Sequence, residues 1–466
     1  MIAADVLQLS LVDQGELIAS RRLSSRELTE AHLERIAAVD GRLRSFVTVA
    51  ADRARGDAER ADRELAAGTS RGALHGIPVA VKDLFATEGI LTTANSPTLA
   101  TNVPEADATV VSRLRDAGAV LLGKLQMNEL AMGPVFEDDA RPPARNPWDL
   151  TRATGGSSSG SAAALAAALC SGSYGSDTGG SIRAPASYCG VVGLKPTQGL
   201  VSRTGVTMLS WSLDHVGPMA RRVADVALLL QATAGHDPSD PASATGAVPD
   251  WSSALDGGLA GTRVGIPTSV IADSGATDEM VRAFEDAVRS LEGLGASVRR
   301  IELPLMEHID GIFNPIMFSE AAAYHQATLR EGRHGRGFTQ RALQGFLYTA
   351  VEYVQAQRGR RRLVESMRAP MADVDVIVTP TVSGGALPVE EYVAAPRSPF
   401  TRFFNLTGQP SLSLPCGFDS NGMPLGLMVS GRRFDDATVL KVAAAYERST
   451  TWHQRRPPAR GDDPNA

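Results

Sequence analysis

A serine hydroxyl is a poor nucleophile until a base takes its proton. The stretch from Thr154 to Pro185, TGGSSSGSAAALAAALCSGSYGSDTGGSIRAP, offers eight serines and no histidine. In DTGGSIR the glycines beside Ser181 let the backbone approach a ligand and aim consecutive N–H groups at one oxygen, the requirement for an oxyanion hole. The base must lie elsewhere. Lys82, inside the short apolar run VAVKDLF, is the candidate, because burial lowers a lysine pKa by up to about 3–5 units and leaves a neutral amine near pH 7. Two other readings compete. A flexible linker would suit the composition, but linkers do not carry an Ala/Leu helix such as SAAALAAAL between glycine clusters. Residues Gly156 to Gly160 also satisfy G-x-S-x-G, the nucleophile elbow of an α/β-hydrolase-type esterase. That motif needs a strand directly before it, where NPWDLTRAT stands, and neither His215 nor His236 lies in a triad context. Taken alone, Ser157 would be a helix cap and Lys82 an ion-paired lysine beside Asp83.

The elements that position these groups follow from pattern. Ser24 and Glu27 have capping-box spacing, with Leu28, Ala31, Ile36, Val39 and Leu43 on one face behind them, so the N-terminal segment is predicted helical. VAVKDLF, bounded by Pro78, reads as a buried strand. A helix over 108–117, a Gly118 cap, a strand over 119–122 and a further helix give a β-α-β rhythm. TRVGIP, the helix with Met280, Phe284, Val288 and Leu291 in line, and ASVRRIELP repeat it, which predicts that one sheet continues across the Pro- and Gly-rich loop 236–261. Residues 311–370 read as mostly helical, with aromatics including Phe313, Phe318, Tyr324, Phe338, Phe346, Tyr348 and Tyr353. DVIVTP and PSLSLPCGF are late strands, and the tail reads as disordered.

Composition bounds the class. With 43% hydrophobic and 21% charged residues over 466 positions, the chain is an ordinary globular protein long enough for a large core. A net charge of −6 gives no electrostatic reason to expect nucleic acid or an anionic membrane as partner. Cys170, Cys189 and Cys416 are odd in number with no CxxC pair, so they read as small core residues in a reducing cytoplasm, not as disulfides or a zinc site. No apolar stretch approaches the ~20 residues of a membrane span. Lys82, Lys124, Lys195 and Lys441 are the only lysines among 46 basic residues. Lys124 and Lys195 read as surface-paired or structural.

HGIPVAVKDLFATEGILTT, DATVVSRLRDAGAVLLGKLQMNELAMG, RNPWDLTRATGGSSSGSAAALAAAL, GSDTGGSIRAPASYCGVVGLKPTQGLVSRTG, LDHVGPMARRVADVALLL and FNLTGQPSLSLPCGFDSNGMPLGLMVSG occur in the order found in amidase signature enzymes, which the chain resembles. The resemblance is close over residues 70–235 and looser over 370–450. It implies an α/β fold with a single large mixed twisted β-sheet covered on both faces by helices. It also implies one amidase domain over 1–466: N-terminal helices to 69, the signature core over 70–235, the loop 236–261, a variable helical substrate-side region over 262–370, the rest of the core to 452 and a tail over 453–466. The roles it implies are Lys82 as base, Ser157 as a bridging serine after a cis peptide bond, and Ser181 as nucleophile. The oxyanion donors would be the N–H groups of Thr178, Gly179, Gly180 and Ser181, supported by Ser158, Asp177 and Arg183. No metal or cofactor is implied. Ser159 departs from the family pattern, standing where glycine is common.

Within the family two functions compete. One is a free-standing hydrolase of amides with apolar or aryl groups, extending to carbamates (urethanes) and esters. The other is the glutaminase (A) subunit of a tRNA-dependent amidotransferase. PRSPFTRF shows no carboxylate to meet the ammonium of glutamine, and MGPVFEDD is apolar where the glutaminase has a polar pattern. The sequence therefore favours the first, with Met132, Pro134, Val135, Phe136, Phe313 and Met317 as pocket residues. Its partners would be a small-molecule substrate only, with no nucleic acid or membrane, in a cytoplasmic monomer or homodimer.

Overall fold

β-Strands that are buried on both faces read as unbroken apolar runs, and the strand at Pro78–Lys82 is buried at every position. In the computed structural model, which describes residues 6–394 and 398–458, it belongs to an eleven-stranded mixed sheet. The strands are β1 (Phe46–Val49), β2 (Pro78–Lys82), β3 (Val120–Leu125), β4 (Arg145–Asn146), β5 (Asp149–Ala153), β6 (Gly172–Asp177), β7 (Val192–Lys195), β8 (His215–Ala220), β9 (Arg263–Ile266), β10 (Ser297–Arg300), β11 (Val376–Pro380), β12 (Ser411–Phe418) and β13 (Pro424–Gly431). The sheet order is β1-β3-β2-β6-β8-β7-β12-β13-β11-β9-β10, and β4 and β5 form a separate ribbon. β2 runs parallel to β3 and β6, and β9 runs parallel to β10 and β11; the middle of the sheet is antiparallel. The fold is α/β, and the same sheet does continue past the loop 236–261, whose Trp251 is buried.

Local signals account for much of this. Ser24 and Glu27 form both halves of a capping box at the helix Ser25–Leu43. The small residues of Ser159–Ala166 allow that helix to be buried along its whole length. Gly160 is required there, because a Cβ would collide with the Ser45 carbonyl and the Gln126 backbone. Gly160→Ala is expected to destabilise the fold by about 1–3 kcal/mol through overpacking, which denaturant unfolding would measure. Ser159 fits without such strain: it opens the helix outside the positive-φ region, and its hydroxyl donates to the Gln126 carbonyl (3.3 Å).

Three expectations change. The segment after β3 is a short turn, Glu129–Ala131, with Leu130 and Ala131 at positive φ, where a helix was predicted. β1 pairs antiparallel with β3 at the sheet edge, inside the segment read as helical. The tail begins with a turn at Trp452–Gln454, and residues 459–466 lie outside the described part. The three cysteines are buried and unpaired.

Candidate active site

Neighbouring strand residues point to opposite faces, and at the end of β2 this separates Lys82 from Asp83. Lys82 Nζ donates to Ser157 Oγ (2.7 Å) and Ser176 Oγ (2.9 Å). Asp83 instead faces Lys124 at 3.7 Å, with both side chains fully buried, so the pairing of Lys82 with Asp83 is not what forms. Lys82 is wholly buried. That desolvation lowers its pKa to about 7, against the opposing pull of the Asp214 and Asp177 carboxylates. Lys124 is structural: it donates to the Phe85 carbonyl and Thr92 Oγ1, and burial lowers it to about 8. Lys195 is structural too, buried and bonded to the Gln409 and Pro196 carbonyls.

The Gly156–Ser157 peptide bond is cis, and the Ser157 carbonyl accepts from Asn128 N–H (3.2 Å). Ser158 does not present a nucleophile. Its hydroxyl is buried against the Ser176 carbonyl (3.3 Å), and its N–H donates to the Ser181 carbonyl (3.1 Å), which ties the two serine loops together. Asp177, at the end of β6, organises the second loop. Its carboxylate takes two bonds from the Arg183 guanidinium (2.9 and 3.0 Å) and one each from Gly180 N–H (2.7 Å), Ile182 N–H (3.1 Å) and the Asn405 amide (2.9 Å). Burial acts to raise this carboxyl, and the Arg183 guanidinium outweighs it and holds it well below the usual range. Thr401 Oγ1 donates to the Gly179 carbonyl (2.7 Å). Gly180 has φ of +127°, and a Cβ would press on Thr401. One of the predicted oxyanion donors is thereby removed: the Gly180 N–H is committed to Asp177. Thr178, Gly179 and Ser181, all on the cavity wall, keep the role open to them.

The cavity measures about 530 Å³ and opens onto both Ser157 and Ser181. Ser181 is partly exposed in it. Met132, Phe313 and Met317 line it as expected, joined by Phe318. Pro134 and Val135 do not; they border a separate small crevice, and Phe136 lies under the Arg336 guanidinium (3.8 Å). The sequence missed a charged wall. Arg341 and Arg402 line the cavity together with Glu279 and Asp419. Asp419 is held by the N–H groups of Asn421 and Met423, and Glu279 by that of Ser420. These carboxylates come from the loop after β12 and the helix Asp278–Gly293, outside the segment PRSPFTRF. Among the described residues no cluster of three His, Cys, Asp or Glu side chains could hold a metal ion, and no helix is long and apolar enough to cross a membrane.

The family model described as Amidase matches residues 27–440. The chain belongs to the amidase family. As an amidase signature enzyme it is a hydrolase of C–N amide bonds. The A subunit of glutamyl-tRNA(Gln) amidotransferase from Thermosynechococcus vestitus is 40% identical to this amidase, covering 95% of its chain and 98% of the relative. Among solved structures, the corresponding amidotransferase subunit from Thermotoga maritima superposes with a TM-score of 0.81 at 33% identity over 96% of each chain. Peptide amidase from Stenotrophomonas maltophilia gives a TM-score of 0.87 at 34% identity, over 98% of this chain and 99% of that one.

These likenesses overturn the expectation of a free-standing hydrolase for apolar or aryl amides, carbamates and esters, together with its small-molecule-only partners. The reasons are physical. The apolar triplet Pro134–Phe136 that suggested such a substrate does not reach the cavity, and the carboxylates thought missing are present in it. A net charge of −6 bears on how this chain alone meets nucleic acid. It carries no information about binding through another protein of a complex.

Proposed function

We propose that this amidase is the glutaminase subunit of a tRNA-dependent amidotransferase, releasing ammonia from the glutamine side chain for use by a partner subunit that holds the tRNA. The 40% identity to the Thermosynechococcus vestitus glutamyl-tRNA(Gln) amidotransferase subunit, over almost the whole of both chains, carries the reading. The charged cavity wall supports it: Arg341 is of the class that pairs an α-carboxylate, and Glu279 and Asp419 are of the class that pairs an α-ammonium. A cytoplasmic location suits an enzyme working on tRNA.

The arrangement then works as follows. Neutral Lys82 takes the Ser157 hydroxyl proton while Ser157 takes that of Ser181, whose oxygen attacks the amide carbonyl. The N–H groups of Thr178, Gly179 and Ser181 stabilise the oxyanion. An amide anion is too basic to leave unaided, so Ser157 passes its proton to the nitrogen as the C–N bond breaks and regains one from Lys82. Ammonia departs and a glutamyl ester of Ser181 remains. Water, deprotonated through the same relay, releases glutamate. Asp177 and Arg183 hold the loop and touch no reacting atom.

Purified protein is expected to release ammonia from glutamine in a coupled glutamate dehydrogenase assay, faster when the partner subunits are supplied. Cleavage of peptide amides with no release from glutamine in either condition would overturn the proposal.

A further inference from the structure

Glu129 follows Asn128, whose N–H holds the Ser157 carbonyl, and it opens the turn in which Leu130 and Ala131 have φ of 46° and 63°. Residues with a Cβ occupy that left-handed region only where surrounding contacts keep them there. Glu129 supplies such contacts. One carboxylate oxygen accepts from Ser96 Oγ (2.7 Å) and lies 3.0 Å from His334 Nδ1, and the other accepts from Gly335 N–H (2.9 Å). The His334 side chain is 1% exposed, packs against Phe338, and sets Nε2 2.9 Å from Thr328 Oγ1.

Carboxylate, imidazole and hydroxyl here stand in the order of a Ser-His-Asp triad. The Thr328 hydroxyl, however, donates to the His325 carbonyl (3.1 Å), so the network fixes backbone and offers no nucleophile. What it fixes is informative. The helix Arg336–Ala342 starts directly after Gly335, and its Arg341 lies on the cavity wall. At the other end of the Glu129 turn, Met132 and Gly133 line the same cavity, and Gly133 packs so closely on Gly337 that a Cβ on either would strike the opposing backbone. Two pieces of wall, one adjoining Ser157 and one carrying Arg341, thus meet backbone to backbone and are pinned by a single buried carboxylate.

We propose that Glu129 and His334 are positioning residues that hold Arg341 at a fixed distance from the serine side of the cavity and so set selectivity for an amide bearing an α-carboxylate. This rests on the glutamine reading. Glutamine and butyramide separate the effects, because butyramide has the same carbon chain without the α-ammonium and α-carboxylate. With the full-length chain, His334→Ala is expected to raise KM for glutamine about 10- to 100-fold, the scale of a misplacement near 1 Å. The kcat for glutamine and the kcat/KM for butyramide should stay within about threefold of wild type, the pattern of lost uniform binding, equal in ground state and transition state. His334→Asn, which restores an amide donor at the Nδ1 position, should recover most of the affinity. Glu129→Gln gives a second variant should His334→Ala fail to fold. Equal losses on both substrates, or an unchanged KM for glutamine, would overturn the positioning role. Wild-type protein that releases no ammonia from glutamine would overturn the functional reading, and this inference with it.

Discussion

Ser181→Ala is expected to lower kcat for amide hydrolysis by on the order of 10⁶-fold, the scale seen when a nucleophile acting as part of a unit is removed. Folding should be untouched, because the loop is held through the Ser181 carbonyl, by Ser158, and through Asp177, and not through the Ser181 hydroxyl. Covalent chemistry gives an independent readout. A sulfonyl fluoride should label wild-type protein once, on the peptide containing Ser181, and leave Ser181→Ala unlabelled. Label on Ser158 would instead revive the elbow reading, against the buried position of that hydroxyl.

Lys82→Ala is the second large effect, a loss of about 10²–10⁴-fold in kcat at neutral pH, the range of general acid–base contributions. The pH profile tests the assignment more sharply than the magnitude does. In the proposed relay the reactive form is the neutral amine, and burial brings the Lys82 pKa to about 7. Wild-type kcat/KM should therefore climb with pH below about 7 and level off above it as the protonated fraction vanishes. Lys82→Arg keeps a donor to Ser157 but stays protonated at all accessible pH values, so it should be inactive across the whole profile. A variant that keeps the rising limb would show that another group supplies the base.

How much of this could be read beforehand depended on distance along the chain. Ser181 and its glycines are a local signal, and a lysine inside an apolar run announces its own burial. The capping box at Ser24 needs only four consecutive residues. The commitment of the Gly180 N–H is not legible locally, because its acceptor is set by how Arg183 and Asn405 hold the Asp177 carboxylate, and Asn405 is remote. Lys195 is buried only because β7 lies beside β12, which brings the Gln409 carbonyl to it. The charged wall assembles residues 279, 341 and 419, which no window on the sequence joins. The turn at Leu130 and Ala131 replaces a helix because Glu129 binds backbone and histidine some two hundred residues on.

The bonds from Thr401 and Asn405 to the Ser181 loop also make the site a product of two distant parts of the chain. Both residues belong to the helix Pro399–Thr407, and Arg183 in turn donates to the Thr401 carbonyl and the Asn405 amide oxygen. Domains generally fold as units, and β12, beside β7 in the middle of the sheet, belongs to the same unit as the serine loops. A nascent chain ending before residue 399 would carry all three of Lys82, Ser157 and Ser181 and still leave Asp177 without one of its anchors. The loop that carries Ser181 is thereby completed by residues more than two hundred positions further along the chain, so its shape depends on the fold closing as one unit.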